Sequence, residues 1–96
     1  MISDAMLRIR EKISPTLMRC GVVKAALFGS VARGKSGKDS DIDILVEFKG
    51  SKSLFDLAGL KIELEELLGR EVDVVTYNSL NPLIRKRILE EQEIIL

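Results

Sequence analysis

Histidine is absent, and with it every mechanism that turns on an imidazole: the Ser-His-Asp triad, the HExxH zinc site and the His-dependent ribonucleases. Cys20 is the only cysteine, so neither an internal disulfide nor a cysteine-built zinc site can form, which suits a reducing compartment. There is no excess of either charge. The 15 Lys+Arg balance the 15 Asp+Glu, so no global electrostatic hold on nucleic acid or an anionic membrane is implied. No apolar run nears the roughly 20 residues of a spanning helix, and the opening stretch lacks a signal peptide's apolar middle. The expectation is a cytoplasmic chain with no membrane partner and no direct nucleic-acid binding. Its chemistry must rest on carboxylates, hydroxyls, Lys or Arg, backbone amides or a bound metal.

What is present fits one small domain spanning residues 1–96: 46% hydrophobic and 31% charged is the balance of a globular chain. Ser3 and Asp4 can cap a first helix whose buried stripe is Met6, Ile9, Ile13 and Leu17, with Pro15 as a late interruption. Residues 22–28 read as a short buried strand stopped by Gly29-Ser30, then a helical turn and a loop through residue 40. Residues 41–48 alternate cleanly, with Ile42, Ile44 and Val46 on one face and Asp41, Asp43 and Leu45 on the other. Ser53 can cap a helix to about Leu68, with Leu57, Leu60, Leu64, Leu67 and Leu68 as its core stripe and Gly69 as its stop. Residues 71–75 form a third strand, and Asn81-Pro82 opens a last helix. The fold class expected is α/β (α+β): a small mixed sheet with helices mainly on one face.

Three features carry chemistry. A strand ending in Gly29-Ser30 and turning into a helix offers outward amides and a hydroxyl, which suits a phosphate; an ordinary strand-to-helix turn is the alternative. Asp41 and Asp43 stand two apart on one strand face, Cα atoms roughly 6.6 Å apart, so their oxygens can converge on one or two divalent ions. The alternative is a strand mouth where both meet solvent or are matched by Arg33, Lys35 or Lys38. Asp73, central in an apolar strand, joins them on the same face if its strand neighbours residues 41–48. Three like charges so close repel by kcal/mol amounts and push their pKa values up, a strain that a divalent cation relieves.

Two other motifs fail on context. Gly29 to Ser36 satisfies the P-loop string GxxxxGK[ST], but Gly37 and then a strand follow where the long phosphate-binding helix should start. Asp39, Asp41 and Asp43 begin like an EF-hand loop, whose sixth and twelfth positions would be Ile44 and Gly50 instead of Gly and Glu.

Leu27-Phe28-Gly29-Ser30-Val31-Ala32-Arg33-Gly34, a loop, and Ser40-Asp41-Ile42-Asp43-Ile44-Leu45-Val46 together resemble the signature of the polymerase-beta-like nucleotidyltransferases. With Leu68-Gly69-Arg70-Glu71-Val72-Asp73-Val74-Val75 and the small size, the chain resembles the minimal nucleotidyltransferase (MNT) proteins over residues 22–76. The resemblance implies that Gly29 and Ser30, with Arg33 beside them, hold the triphosphate of ATP. It implies that Asp41, Asp43 and Asp73 are the catalytic carboxylates and bind Mg²⁺, as two ions. It further implies a partner, a HEPN-type ribonuclease toxin that an MNT antitoxin silences by moving AMP onto a toxin tyrosine. Rival readings are an idle antitoxin that works by occlusion and a small-molecule nucleotidyltransferase, with a homodimer or hetero-oligomer as the assembly. Phe55, Ile62 and Ile94-Ile95-Leu96 are candidate contact residues; the alternative is plain core packing or a final strand, which is the preferred reading for the tail.

Overall fold

The computed structural model describes residues 3–34 and 41–96. Its axis is the alternating strand β2 (Ile42–Phe48), which sits between β1 (Val22–Phe28) and β3 (Val72–Thr76). With the two-residue β4 (Glu93–Ile94) on the far side of β1, the sheet order is β3-β2-β1-β4. β1 pairs antiparallel with both β2 and β4, whereas β2 and β3 are parallel. A parallel pair needs a crossover, and α3 (Leu54–Leu68) supplies it. The mixed sheet is the one expected from the sequence.

α1 (Asp4–Arg19) is capped by Ser3, whose hydroxyl accepts from the Met6 amide at 3.2 Å. It runs through Pro15 without ending, and its stripe of Met6, Ile9, Ile13 and Leu17 is buried against the sheet. Burying each such side chain contributes roughly 1.5–3 kcal/mol. α3 has a capping box: Ser53 and Asp56 each accept the other's backbone N–H, at 3.2 and 2.9 Å. It stops at Gly69, whose φ of 65° is the left-handed turn that glycine adopts without strain. Leu60 and Leu64 are its fully buried residues, with Leu57 and Leu68 packed beside them. Leu67, expected in this stripe, is instead 43% exposed, because the helix turns it past the sheet. Phe55 and Ile62, the candidate contact residues of this helix, are exposed.

Ile42, Ile44, Val46 and Val72 join α1 and α3 in the main core. The opposite sheet face carries a smaller cluster of Ala26, Leu45, Tyr77 and Leu80, covered by Ile88 and Leu89 of α4 (Pro82–Glu91). The Asn81 side chain caps α4 by accepting from Leu83 N–H at 2.9 Å, with Pro82 in the first turn. The Tyr77 hydroxyl donates to Gln92 Oε1 at 2.7 Å and pins the helix's far end. The tail divides: Ile94 ends β4 and is exposed, whereas Ile95, beyond the strand, is buried in the main core with its amide donating to the Ala25 carbonyl at 2.9 Å. Among the described residues no helix is long and apolar enough to cross a membrane.

Candidate active site

Parallel pairing of β2 with β3 sets Asp43 directly beside Asp73, Cα to Cα, in the register Ile42↔Val72, Asp43↔Asp73, Ile44↔Val74. Strand alternation then turns both carboxylates to the face opposite α1 and α3. On its other side Asp43 pairs with Phe28, the last residue of β1, so the Gly29-Ser30 turn opens next to it. The short helix α2 (Gly29–Ala32) starts there, and its Val31 is buried in the main core, which fixes the turn. Gly29 has φ +70°, and a Cβ on it would run into the Asp43 carboxylate. Only glycine allows the backbone so near the acid.

Asp41 lies one residue before β2 and is exposed; the ladder begins at Ile42, whose amide donates to Glu71 C=O at 3.0 Å. Burial pushes the Asp43 carboxyl above its ordinary range. The charges of Asp73 and Asp41 and a carboxyl hydrogen bond with Asp73 push it further the same way, and Arg33 opposes them. The charges of both other acids are thus felt at Asp43. They do not close into a tight trio: among the described residues no three His, Cys, Asp or Glu side chains form a ready-made metal-ligand group. Asp43 and Asp73 are the adjoining pair, and Asp41 stands off at the strand mouth, where its charge meets water.

The donor set nonetheless fits a hard divalent cation. It is all carboxylate oxygen, its central member is partly desolvated, and the field on that member is net negative. Arg33 is exposed beyond α2 and is held by Glu91 at the end of α4, Nη1 to Oε2, 3.2 Å. Glu91 also accepts from Arg87 Nε at 3.3 Å. Lys35 and Lys38 lie outside the described residues. A cleft of about 460 Å³, between Phe48, Lys52, Leu57 and Tyr77, is at the opposite ends of β2 and β3 and takes no part in this arrangement.

Sequence reasoning missed Glu91, and it missed Lys61 and Glu65 on α3. Glu65 Oε2 accepts from the Val72 amide at 3.0 Å and from Lys61 Nζ at 3.0 Å, while Lys61 Nζ donates to the Val72 carbonyl at 2.6 Å. The only sequence signal was an i, i+4 Lys-Glu pair, which reads as an ordinary solvated helix face.

The arrangement of a Gly-Ser turn against paired strand aspartates points to the nucleotidyltransferases, and comparison with known proteins agrees. The nucleotidyltransferase domain family matches residues 6–95. A Methanocaldococcus jannaschii protein, provisionally named a protein adenylyltransferase, is 59% identical over 83 residues, covering 86% of this chain and 89% of its own. The protein adenylyltransferase MntA of Thermococcus cleftensis is 45% identical over 73 residues, 76% of this chain and 74% of its own. A solved structure provisionally described as a minimal nucleotidyltransferase superposes with a TM-score of 0.81 at 41% identity, over 94% of this chain and 92% of that one. The same fold recurs in a toxin–antitoxin structure with AMP-PNP (TM-score 0.80, 24% identity, 91% of this chain and 72% of that one). It recurs again in a tri-AMPylated Shewanella oneidensis HEPN toxin in complex with its MNT antitoxin (TM-score 0.74, 21% identity, 94% and 71%). The chain belongs to the nucleotidyltransferase domain family. It is a nucleotidyltransferase of the minimal kind.

Proposed function

We propose that this chain transfers AMP from ATP to a hydroxyl of a protein partner, a tyrosine of a HEPN-type ribonuclease toxin, and so acts as its antitoxin. The observation that carries the reading is the Asp43–Asp73 register pair lying against the Gly29 backbone. The names of the relatives, protein adenylyltransferases at 59% and 45% identity, support the nature of the group moved. The fold shared with complexes of MNT antitoxin and HEPN toxin supports the kind of partner.

In this reading Gly29 and Ser30 hold the triphosphate by backbone amides and the serine hydroxyl. Arg33, once exchanged from Glu91, adds a guanidinium to the phosphates. Asp41, Asp43 and Asp73 would hold Mg²⁺, and Asp73 takes the proton of the acceptor hydroxyl as that oxygen bonds to the α-phosphorus, the bond from the α-phosphorus to the β-phosphate oxygen breaks and pyrophosphate leaves. When bound, Mg²⁺ would supply charge neutralisation for the triphosphate and the departing pyrophosphate. Gly29 and the two strands keep the nucleotide and the acids in fixed register, which is where positioning enters the rate.

The test is incubation of the chain with α-labelled ATP, Mg²⁺ and the neighbouring gene's product. Label should appear on the partner, and Asp41→Asn or Asp43→Asn should abolish it. An unlabelled partner in the presence of bound nucleotide would remove the transferase reading. Toxin silencing that survives Asp41→Asn would establish occlusion in its place.

A further inference from the structure

β3 is an edge strand, and the residue before Asp73 turns its peptide groups away from β2 toward the open side. Edge peptides normally meet water. Here both groups of Val72 are held by side chains that reach round the sheet from α3. Glu65 Oε2 takes the amide at 3.0 Å, Lys61 Nζ gives to the carbonyl at 2.6 Å, and the two side chains bond to each other at 3.0 Å. On the inner side, the Glu71 carbonyl accepts from Ile42 N–H at 3.0 Å. The peptides that lead into Asp73 are thus clamped from both edges. The base of the clamp is packed: Leu60 and Leu64, one residue from each clasping side chain, are buried in the same core as Ile42 and Val72.

We infer that Lys61 and Glu65 are positioning residues for the transfer reaction: they lock the entry of β3 so that Asp73 stays in register with Asp43. This rests on the role proposed above for Asp73. Two further observations favour it over simple edge protection. The clasp is at Val72, next to the acid, and the Lys61 ammonium, held first by its bond to Glu65, lies within the weaker reach of the Asp73 charge. A surface Lys-Glu pair by itself contributes little stability, so its effect should be sought in geometry. Displacing a reacting group by an ångström costs on the order of 100-fold in rate.

The experiment compares Glu65→Ala, Glu65→Gln, Lys61→Met and Asp73→Asn with the parent chain, in labelled-ATP transfer to the toxin and in amide hydrogen exchange. Glu65→Ala should lower kcat about 10-fold or more with the KM for ATP within about 2-fold, since the Gly29-Ser30 turn is untouched. Glu65→Gln keeps an oxygen for the Val72 amide and should restore most of the rate; Lys61→Met should fall between. Exchange at the Val72 amide should quicken in Glu65→Ala and stay slow in Glu65→Gln. Parent-level kcat and unchanged Val72 exchange in Glu65→Ala, with Asp73→Asn inactive, would overturn the clasp. So would a rate loss that merely follows the unfolded fraction and is not rescued by Gln. If Asp73→Asn transfers normally, or the parent transfers nothing, the role of Asp73 or the transferase reading fails instead, and the exchange data still decide whether the clasp holds β3.

Discussion

Gly29 lies so close to Asp43 that a methyl group on its Cα would overlap the carboxylate, while its backbone holds φ +70°. The two residues come from different strands, and the contact exists because Asp43 pairs with Phe28 at the end of β1. Gly29→Ala therefore meets two penalties at once. The left-handed backbone costs a side-chain-bearing residue about 1–2 kcal/mol, and the carboxylate must move. Thermal melting should show a loss of at least that size, and ATP binding should fall in the folded fraction. Gly34→Ala is the control: it has a similar φ of +71°, but among the described residues no atom lies within 4 Å of an added Cβ, so it should lose stability alone.

Metal-free stability should fall with rising pH where Asp43 titrates. A carboxyl whose folded-state pKa is raised binds protons more tightly when folded than when unfolded. Stability is therefore greatest below the ordinary value of 3.8 and declines as pH climbs through the raised one. Asp43→Asn removes that decline, and at neutral pH its melting temperature should equal or exceed the parent's while transfer is abolished. Added Mg²⁺ should raise the parent's melting temperature and leave that of Asp43→Asn almost unmoved, which melts at several Mg²⁺ concentrations would reveal.

Asp56 has the opposite sign. Hydrogen bonds from the Ser53 backbone and then its side chain hold the Asp56 carboxyl below its ordinary value. Its contribution is present above pH 3.8 and is lost as pH drops through the lowered value. Ser53→Ala should cost about 1 kcal/mol in denaturant unfolding and leave transfer unchanged well below the melting point.

Arg33 and Glu91 should separate in assays of nucleotide affinity. Arg33→Met should weaken ATP binding several-fold if the guanidinium moves to the phosphates. Glu91→Gln, which frees Arg33, should bind ATP as well as or better than the parent. Both are exposed enough that stability should change by no more than about 1 kcal/mol, as for other surface pairs. Isothermal titration with a non-hydrolysable ATP analogue would measure the contrast.

Most of the fold was legible because its signals are local. Ser3, Ser53, Asn81 and Gly69 are caps that act within a turn of their own helix, and each functions where the sequence placed it. Alternation in residues 42–48 sorted the two faces correctly, and it predicted that Asp73 would share the Asp43 face once the strands adjoined. Leu67 misled because Leu67 and Leu68 are adjacent leucines at helical spacing from Leu64. Only the sheet's position decides which one turns inward. Asp41 was read as part of the strand, yet pairing starts at Ile42, since nothing in the chain's own pattern marks where β3 begins to match it. Arg33–Glu91 and the Val72 clasp were out of reach for the same reason. The first joins residues 58 apart, the second reaches from α3 round to the outer edge of β3, and each uses side chains that taken singly look like solvated charge.

The crossover helix has a consequence for biosynthesis. Asp43 leaves the ribosome before α3 and Asp73 after it, so the pair comes into being only when β3 docks beside β2. A nascent, truncated or nicked chain that ends short of residue 72 holds half an acid pair on an unfinished sheet. Under the proposed mechanism such a fragment is chemically silent, and the onset of transfer during translation would report the moment the final strands lock into place.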